Sequence, residues 1–318
     1  MRRNRISQRL GTAPWVALLA LLLGTATAQG AITIDDHKPQ KAHGMTMASA
    51  SLDSVSAPKP DELDDAYARA LQLWHGNGER QEADAILALL RQAADQGHAQ
   101  SQNLLGRFHN KGRLLPRDDA EAVKWYEKAA HQGLASAQLN AGLMYRAGNG
   151  VKRDQARAFF WLEQAARQDT PEAQYLVAMM LEEGVGAERD AQAAIRWYER
   201  AAEHGYAPAQ HNLAVAYATG EGGSRNDRAA AKWYRMAAAK GQPLSQLQLA
   251  RALAEGQGVR RDETAAYVWA RVAAANGWRN QALLKAANEL AARLARFLSA
   301  SQLEKAARDI ESELKRRG

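Results

Sequence analysis

The sequence predicts an all-α protein, a solenoid of stacked helix–turn–helix units, and three observations carry that prediction. Tryptophan recurs at one place in a 36-residue frame, as Trp125, Trp161, Trp197, Trp233 and Trp269. Glutamine leads the same frame at Gln102, Gln138, Gln174, Gln210 and Gln246. Ala-Ala pairs beginning at Ala129, Ala165, Ala201, Ala237 and Ala273 follow each tryptophan by four residues. A fixed period of this size marks units that bury their apolar faces only against their neighbours. Such a stack is a surface for holding another molecule.

In chain order, the first element is a targeting segment. Arg2, Arg3, Arg5 and Arg9 precede an apolar run from Trp15 to Leu23, and Ala26-Thr27-Ala28 offers small residues at a cleavage site. A basic head, a short apolar core and a small-residue exit describe a signal peptide over residues 1–28, cut after Ala28 and directing the chain to the periplasm or outside. The alternative is an uncleaved anchor, which would give the only membrane contact; about ten apolar residues fall short of the ~20 needed to span a bilayer. Residues 29–60 are Ser, Ala, Lys, Asp and Pro without apolar periodicity and read as a disordered tether.

The chain has no cysteine, which excludes disulfides, a thiol nucleophile and lipidation after the signal. Its formal charge of +7 includes the four signal arginines, so the mature chain carries +3. Residues 279–318 alone carry +4, from 9 basic and 5 acidic residues. The repeats are therefore close to neutral. Nucleic-acid binding wants basic residues gathered on one face, and the body of this chain has no such excess.

Within one repeat, Ala135–Ala147 reads as a first helix, with Gln138, Ala141, Gly142 and Tyr145 at i, i+3, i+4 and i+7. Gly148-Asn149-Gly150-Val151 breaks it, because glycine permits the positive φ of a tight turn. Asp154 stands where the N-cap of a second helix belongs, and Ala158, Trp161 and Ala165 share that helix's packing face. Gly133, Gly205, Gly241 and Gly277 stand past second helices as breakers. Asp169 replaces that glycine in one repeat, Leu114 replaces a second loop glycine in another, and Asn226-Asp227 is expected to shift one cap by a residue. Ala282–Leu298 and Gln302–Lys315 read as two amphipathic capping helices.

These blocks resemble the Sel1-like repeat, a relative of the tetratricopeptide repeat. The resemblance rests on Ala137-Gln138-Leu139-Asn140-Ala141-Gly142-Leu143-Met144-Tyr145, then Gly148-Asn149-Gly150-Val151, then Trp197-Tyr198-Glu199-Arg200-Ala201-Ala202. It covers five repeats (99–134, 135–170, 171–206, 207–242, 243–278) and a degenerate sixth at 63–98, where Leu89 stands for tryptophan. Repeats thus occupy 61–278 and capping helices 279–318. The resemblance implies a right-handed α/α solenoid and a non-enzymatic protein-binding role, with an unknown protein partner and no cofactor.

Four motifs suggest chemistry and fail on context. The Gly-x-Gly loops recur once per repeat with no preceding strand and no Gly-Lys-Ser/Thr, so they read as turns rather than phosphate loops. Ser-x-x-Lys at Ser56–Lys59 and Ser312–Lys315 lacks its partner elements. The histidines show no metal-ligand spacing. Glu182-Glu183 reads as a solvated face, and only the edges of Tyr126, Tyr198 or Tyr234 are candidates to touch a ligand. No catalytic, cofactor or metal residue is expected.

What remains is the face that packing does not need. With the first helix counted from Ala99, Ala135 and their equivalents, positions 4, 7, 8 and 11 are buried, so positions 2, 5, 9 and 12 point away. By resemblance this face lines a concave groove. The candidate partner-binding residues on it are Arg107, Leu139, Leu143, Arg146, Tyr175, Met179, His211, Val215 and Arg251. An apolar strip with charged shoulders suits a helix or an extended peptide. Binding to a cell-envelope polymer is the alternative reading, and hydrolysis of β-lactams or wall peptides a third.

Overall fold

The computed structural model describes residues 60–75 and 82–316. The signal segment, residues 29–59 of the tether, Ser56, Lys59, Gly76 and Gly78 lie outside the described residues. Among those described there are fourteen α-helices and no strand. They pair as α1 Pro60–His75 with α2 Ala83–Asp95, α3 Ala99–Lys111 with α4 Asp119–His131, and α5 Ala135–Ala147 with α6 Gln155–Ala166. The series continues with α7 Pro171–Glu183 and α8 Ala191–Glu203, α9 Ala207–Thr219 and α10 Asp227–Ala239, then α11 Pro243–Glu255 and α12 Glu263–Asn276. Helices α13 Gln281–Ala295 and α14 Ala300–Lys315 end the chain.

Each pair is built by the same local rules. First helices α3, α5, α7, α9 and α11 stop at left-handed Gly112, Gly148, Gly184, Gly220 and Gly256, with φ between 64° and 79°. There glycine lets the chain reverse without a Cβ clash. Second helices α4, α6, α8, α10 and α12 start at Asp118, Asp154, Asp190, Asn226 and Asp262, whose side chains accept the N–H three residues on at 2.8–3.0 Å. The expected cap shift at Asn226-Asp227 does not occur. Asn226 caps in register, because its amide oxygen accepts as a carboxylate oxygen does.

Both departures from the glycine pattern keep the backbone they replace. Leu114 has φ 58° and Asp169 has φ 56°, the only described non-glycine residues in that region. Gly277 ends α12 as expected but with another backbone conformation, for its φ is −94°. Its lack of a side chain serves close approach instead: a Cβ there would lie 2.2 Å from Leu283 Cδ2.

Neighbouring helices pack in chain order, and the alanines of the repeat sit at the closest approaches, with Ala129, Ala165, Ala201, Ala237 and Ala273 fully buried. Trp125 and Trp161 are buried, whereas Trp197, Trp233 and Trp269 are half-buried. Basic side chains cover several of these rings, as Lys128 does at 4.0 Å over Trp125 and Arg200 at 4.9 Å over Trp197.

The two terminal helices divide their labour. Helix α13 packs on α12 and touches α11, as the first helix of a further unit would. It buries Leu283, Ala287, Leu290, Ala291 and Leu294 and turns Lys285, Asn288, Glu289 and Arg293 to solvent, the polar outer face a terminal unit needs. Helix α14 instead returns to α12, setting Ala306, Ile310 and Leu314 against Val268 and Val272. Those two valines occupy frame positions that earlier repeats fill with Lys124 and Lys128 or Arg196 and Arg200. Phe160 and Met236 put one apolar residue there in two other repeats, but of the five complete repeats only the last has both positions apolar.

Candidate binding face on the first helices

A glutamine ladder holds the first helices in register and decides which side of each is left over. The Nε2 of Gln102, Gln138, Gln174, Gln210 and Gln246 donates to the carbonyls of Ala94, Ala130, Ala166, Ala202 and Ala238, at 2.8–3.2 Å. These end-of-helix carbonyls each accept the N–H of the residue three on as well, so the glutamine takes the second lone pair. Bonds also run between successive first helices. Asn103 Nδ2 donates to Ser136 Oγ at 3.2 Å, Asn140 Nδ2 to Asn103 Oδ1 at 3.0 Å, and His211 Nδ1 lies 2.8 Å from Ser245 Oγ.

The face left over is closely walled. All nine expected residues lie on it, and every one is half-buried. Leu139, Leu143, Tyr175 and Met179 pack against the central core, and Val215 against the next. The Tyr175 ring sits 5.3 Å from Tyr206 and 5.9 Å from Tyr198. An anchor strip removable without cost to folding is therefore not what the structure provides. Leu247, on the same face by sequence, is in the core with 5% exposure, because the last rung is closed over by α13.

The polar groups of the face differ sharply in partnering. Arg107 sits 5.8 Å over the Trp74 ring, Arg251 donates to Gln248 at 3.3 Å, and Arg146 acts electrostatically on Glu172, Tyr175 and Tyr206. Burial pushes the His211 imidazole down to about 4. Burial also raises the Glu172 carboxyl, against the pull of Arg146.

Glu182 is not on a solvated face as expected. It is half-buried, its pKa is raised by burial, and it accepts the Tyr198 hydroxyl at 2.6 Å. Tyr126, Tyr198 and Tyr234 are 3%, 1% and 7% exposed, so none presents an edge to a ligand. They are packing residues whose hydroxyls burial holds well above the usual range.

One constellation escaped the sequence reading. His98 Nε2 lies 3.0 Å from Asp64 Oδ1, and His98 Nδ1 lies 2.8 Å from Ser101 Oγ. These are the residue types and the order of a charge-relay triad. Ser101 is 0% exposed and sits in the first turn of α3, where its own N–H donates to His98 Nδ1 at 3.4 Å. No carbonyl substrate reaches a buried oxygen in a helix start. His98 is a helix cap, and the residues were separable from chance only by distance, since Asp64 lies 34 positions away. Among the described residues no cluster of His, Cys, Asp or Glu could hold a metal ion, and no helix is long and apolar enough to cross a membrane.

Six helix pairs, five of them capped and joined by glycine turns among the described residues, with one face of the first helices left to half-buried side chains, define a helical-repeat protein of the solenoid class. The chain belongs to the Sel1 repeat family, whose pattern matches residues 66–98, 99–134, 135–170, 171–206, 207–242 and 243–278. It is similar to a Sel1 repeat protein from Oxalobacter formigenes, with 31% identity, a TM-score of 0.61, and coverage of 66% of this chain and 85% of that one. It is also similar to c5321, a protective antigen of uropathogenic Escherichia coli strains with the same fold, at 31% identity and a TM-score of 0.67. That alignment takes in 79% of this chain but spans about half, 54%, of the antigen. No functionally curated sequence matches the chain significantly. Sel1 repeat proteins generally mediate protein–protein interactions and are generally non-enzymatic.

Proposed function

We propose that this chain is a non-enzymatic adaptor, exported to the cell envelope, that binds a protein partner along the first-helix face of its repeats. The observation that carries the reading is the half-buried row Leu139, Leu143, Tyr175, Met179 and Val215, flanked by Arg107, Arg146 and Arg251. Aliphatic and aromatic side chains fixed by their neighbours present apolar area at little further entropic cost, which is what a peptide or helix requires of its receptor. Export is supported by the basic head, apolar core and Ala26-Thr27-Ala28 exit of residues 1–28. The absence of cysteine leaves packing alone to hold an exported fold. A relative known as a protective antigen accords with that address.

Site-specific photocrosslinking in intact cells tests the reading. Probes at exposed Gln100 and Ser136 lie on the first-helix face, and probes at exposed Lys124 and Lys232 lie on second helices. Discrete protein adducts from the first pair alone support it. Adducts from the second pair alone move the binding surface to the other side. Cosedimentation of the mature chain with purified sacculi, with no adduct from any position, would favour envelope-polymer binding instead.

A further inference from the structure

We propose that the partner segment on this face is acidic at one end and aliphatic at the other, and that it lies with its carboxylates over α1, α3 and α5. The inference rests on the adaptor reading and adds the chemistry of the occupant. Three arginines gather at that end of the stack. Arg107 and Arg113 each place their guanidinium 5.8 Å from the Trp74 ring, and Arg146 follows one rung on. None of the three has a carboxylate within ion-pair distance among the described residues. The side chains of Arg107, Arg113 and Arg146 donate no hydrogen bond there either.

Burial, not the missing partner, sets this face apart. Arg117, Arg157, Arg167, Arg189, Arg225 and Arg261 hold carboxylates at the surface, and other exposed arginines are left to water. Among the described residues only Arg107, Arg146 and Arg251 are withdrawn from full exposure, and all three lie on this face without an ion pair. Arg107 and Arg146 have thus given up part of their water without a carboxylate in contact, since Arg146 pulls on Glu172 only from beyond ion-pair distance. A guanidinium in that position presents unsatisfied donors in a planar fork suited to carboxylate.

The neighbouring rung sets the polarity of the ligand. Helix α7 offers Tyr175 and Met179 to an apolar side chain, but it also carries Glu172 and Glu182, both held above the usual carboxylate range by burial. An acidic residue placed there would meet like charge. The segment therefore places acids over Arg107, Arg113 and Arg146 and aliphatic residues over α7 and α9. Successive first helices in such a stack lie on the order of 9 Å apart, which an extended chain covers in about three residues. The acidic block and the aliphatic block that follows it accordingly advance about three residues per rung. A protein segment is favoured over an anionic polysaccharide because Leu139, Leu143, Met179 and Val215 offer aliphatic side chains, not the flat rings and polar rims on which sugars stack.

The test is selection of phage-displayed random dodecapeptides on the mature protein, followed by fluorescence anisotropy with the synthetic consensus. The expected result is a consensus with an acidic block beside an aliphatic block. Its binding should weaken at least ~10-fold in the Arg107→Ala/Arg146→Ala variant and lose most of its salt dependence. A Gln/Asn version of the peptide should bind wild-type protein as weakly, which decides the matter even where the double variant is poorly folded. A neutral or basic consensus that is blocked by Ser136→Trp would overturn the acidic partner and leave the adaptor reading standing. A consensus indifferent to both substitutions would overturn both. So would a failure to enrich any peptide, and salt-sensitive binding of alginate in its place would give the face to an anionic polysaccharide.

Discussion

A Cβ atom added to Gly150 would lie 2.2 Å from the carbonyl carbon and oxygen of Asp119, at the start of the preceding repeat's second helix. Gly186 meets Gln155 in the same way at 2.2 Å, and Gly258 meets Asp227 at 2.0 Å. The second loop glycine is therefore an inter-repeat contact as well as a turn residue. The first glycine is not: at Gly148 the nearest foreign atom is Arg153 Cβ at 3.1 Å. Gly148→Ala should cost about 1–2 kcal/mol, the strain of a left-handed alanine. Gly150→Ala should cost more, ~3 kcal/mol or above, since backbone must move as well. Urea unfolding of the two variants checks the order, and equal losses would remove the contact from the argument. His211 supplies a second expectation at this scale. Its imidazole ordinarily titrates near 6.5 and here is lowered to about 4, so the unfolded chain takes up the proton first. The contribution is fully present above pH ~6.5 and is lost as pH falls toward 4, on the order of 2–3 kcal/mol. Glu172 and Glu182, raised by burial, act in the opposite sense over part of that window. The contrast to measure is thus wild type against His211→Gln: the variant should lose less stability between pH 6.5 and 4, and parallel curves would contradict the assignment.

Between residue and molecule stands the glutamine ladder, which is complete at three rungs and short at two. Gln102 Oε1 accepts from Gln132 at 2.7 Å, Gln138 Oε1 from Gln168 at 2.8 Å, and Gln246 Oε1 from Asn276 at 3.0 Å. The donor always comes 30 residues on. For Gln174 and Gln210 that position holds His204 and Lys240, and both glutamine oxygens are buried without a partner. Lys240 Nζ goes to the carbonyl of Gly205 instead. In the complete rung, Gln168 donates both to Gln138 and to the equivalent carbonyl of Gly133. Lys240→Gln should therefore keep one bond and add another, stabilising the protein by about 1 kcal/mol. His204→Gln should add a similar amount at its own rung. Thermal unfolding reads both, and a loss in either would mean that the orphaned oxygen is satisfied by water at no cost.

At the scale of the whole chain, the period made the stack legible because each unit repeats one packing solution, and packing residues repeat with it. Trp125 and Gln138 advertise the fold for that reason. The candidate face was legible only as a remainder. Positions 2, 5, 9 and 12 could be deduced to face away from the core, yet half-burial of Tyr175 depends on Tyr198 of α8 and on Tyr206, the residue before α9, which no single-helix pattern contains. Ser299-Ala300-Ser301 reads as the gap between the last two helices, yet Ser299 is the N-cap of α14, in a capping box with Gln302, and the helix already includes Ala300 and Ser301. Nor could the sequence say where α14 lands. That placement yields the last expectation. Helix α13 buries five apolar residues against the stack, whereas α14 buries only Ala306 and leans on α12 through half-buried Ile310 and Leu314. In a quasi-one-dimensional array stability is a sum of neighbour terms, so the two helices should be lost separately. Ending the chain after Leu298 should leave helical content and cooperativity intact with a modest fall in Tm, since it uncovers little beyond Val268 and Val272. Ending it after Gly277 should expose α12 and lower both Tm and the unfolding m-value, which follows the surface exposed. Amide exchange on the full chain should show the same gradient without truncation, with α14 opening first and α13 protected together with α12. Equal protection of α13 and α14 would make them one cap, and the fold-back contact on Val268 and Val272 would then hold far more than its buried surface accounts for.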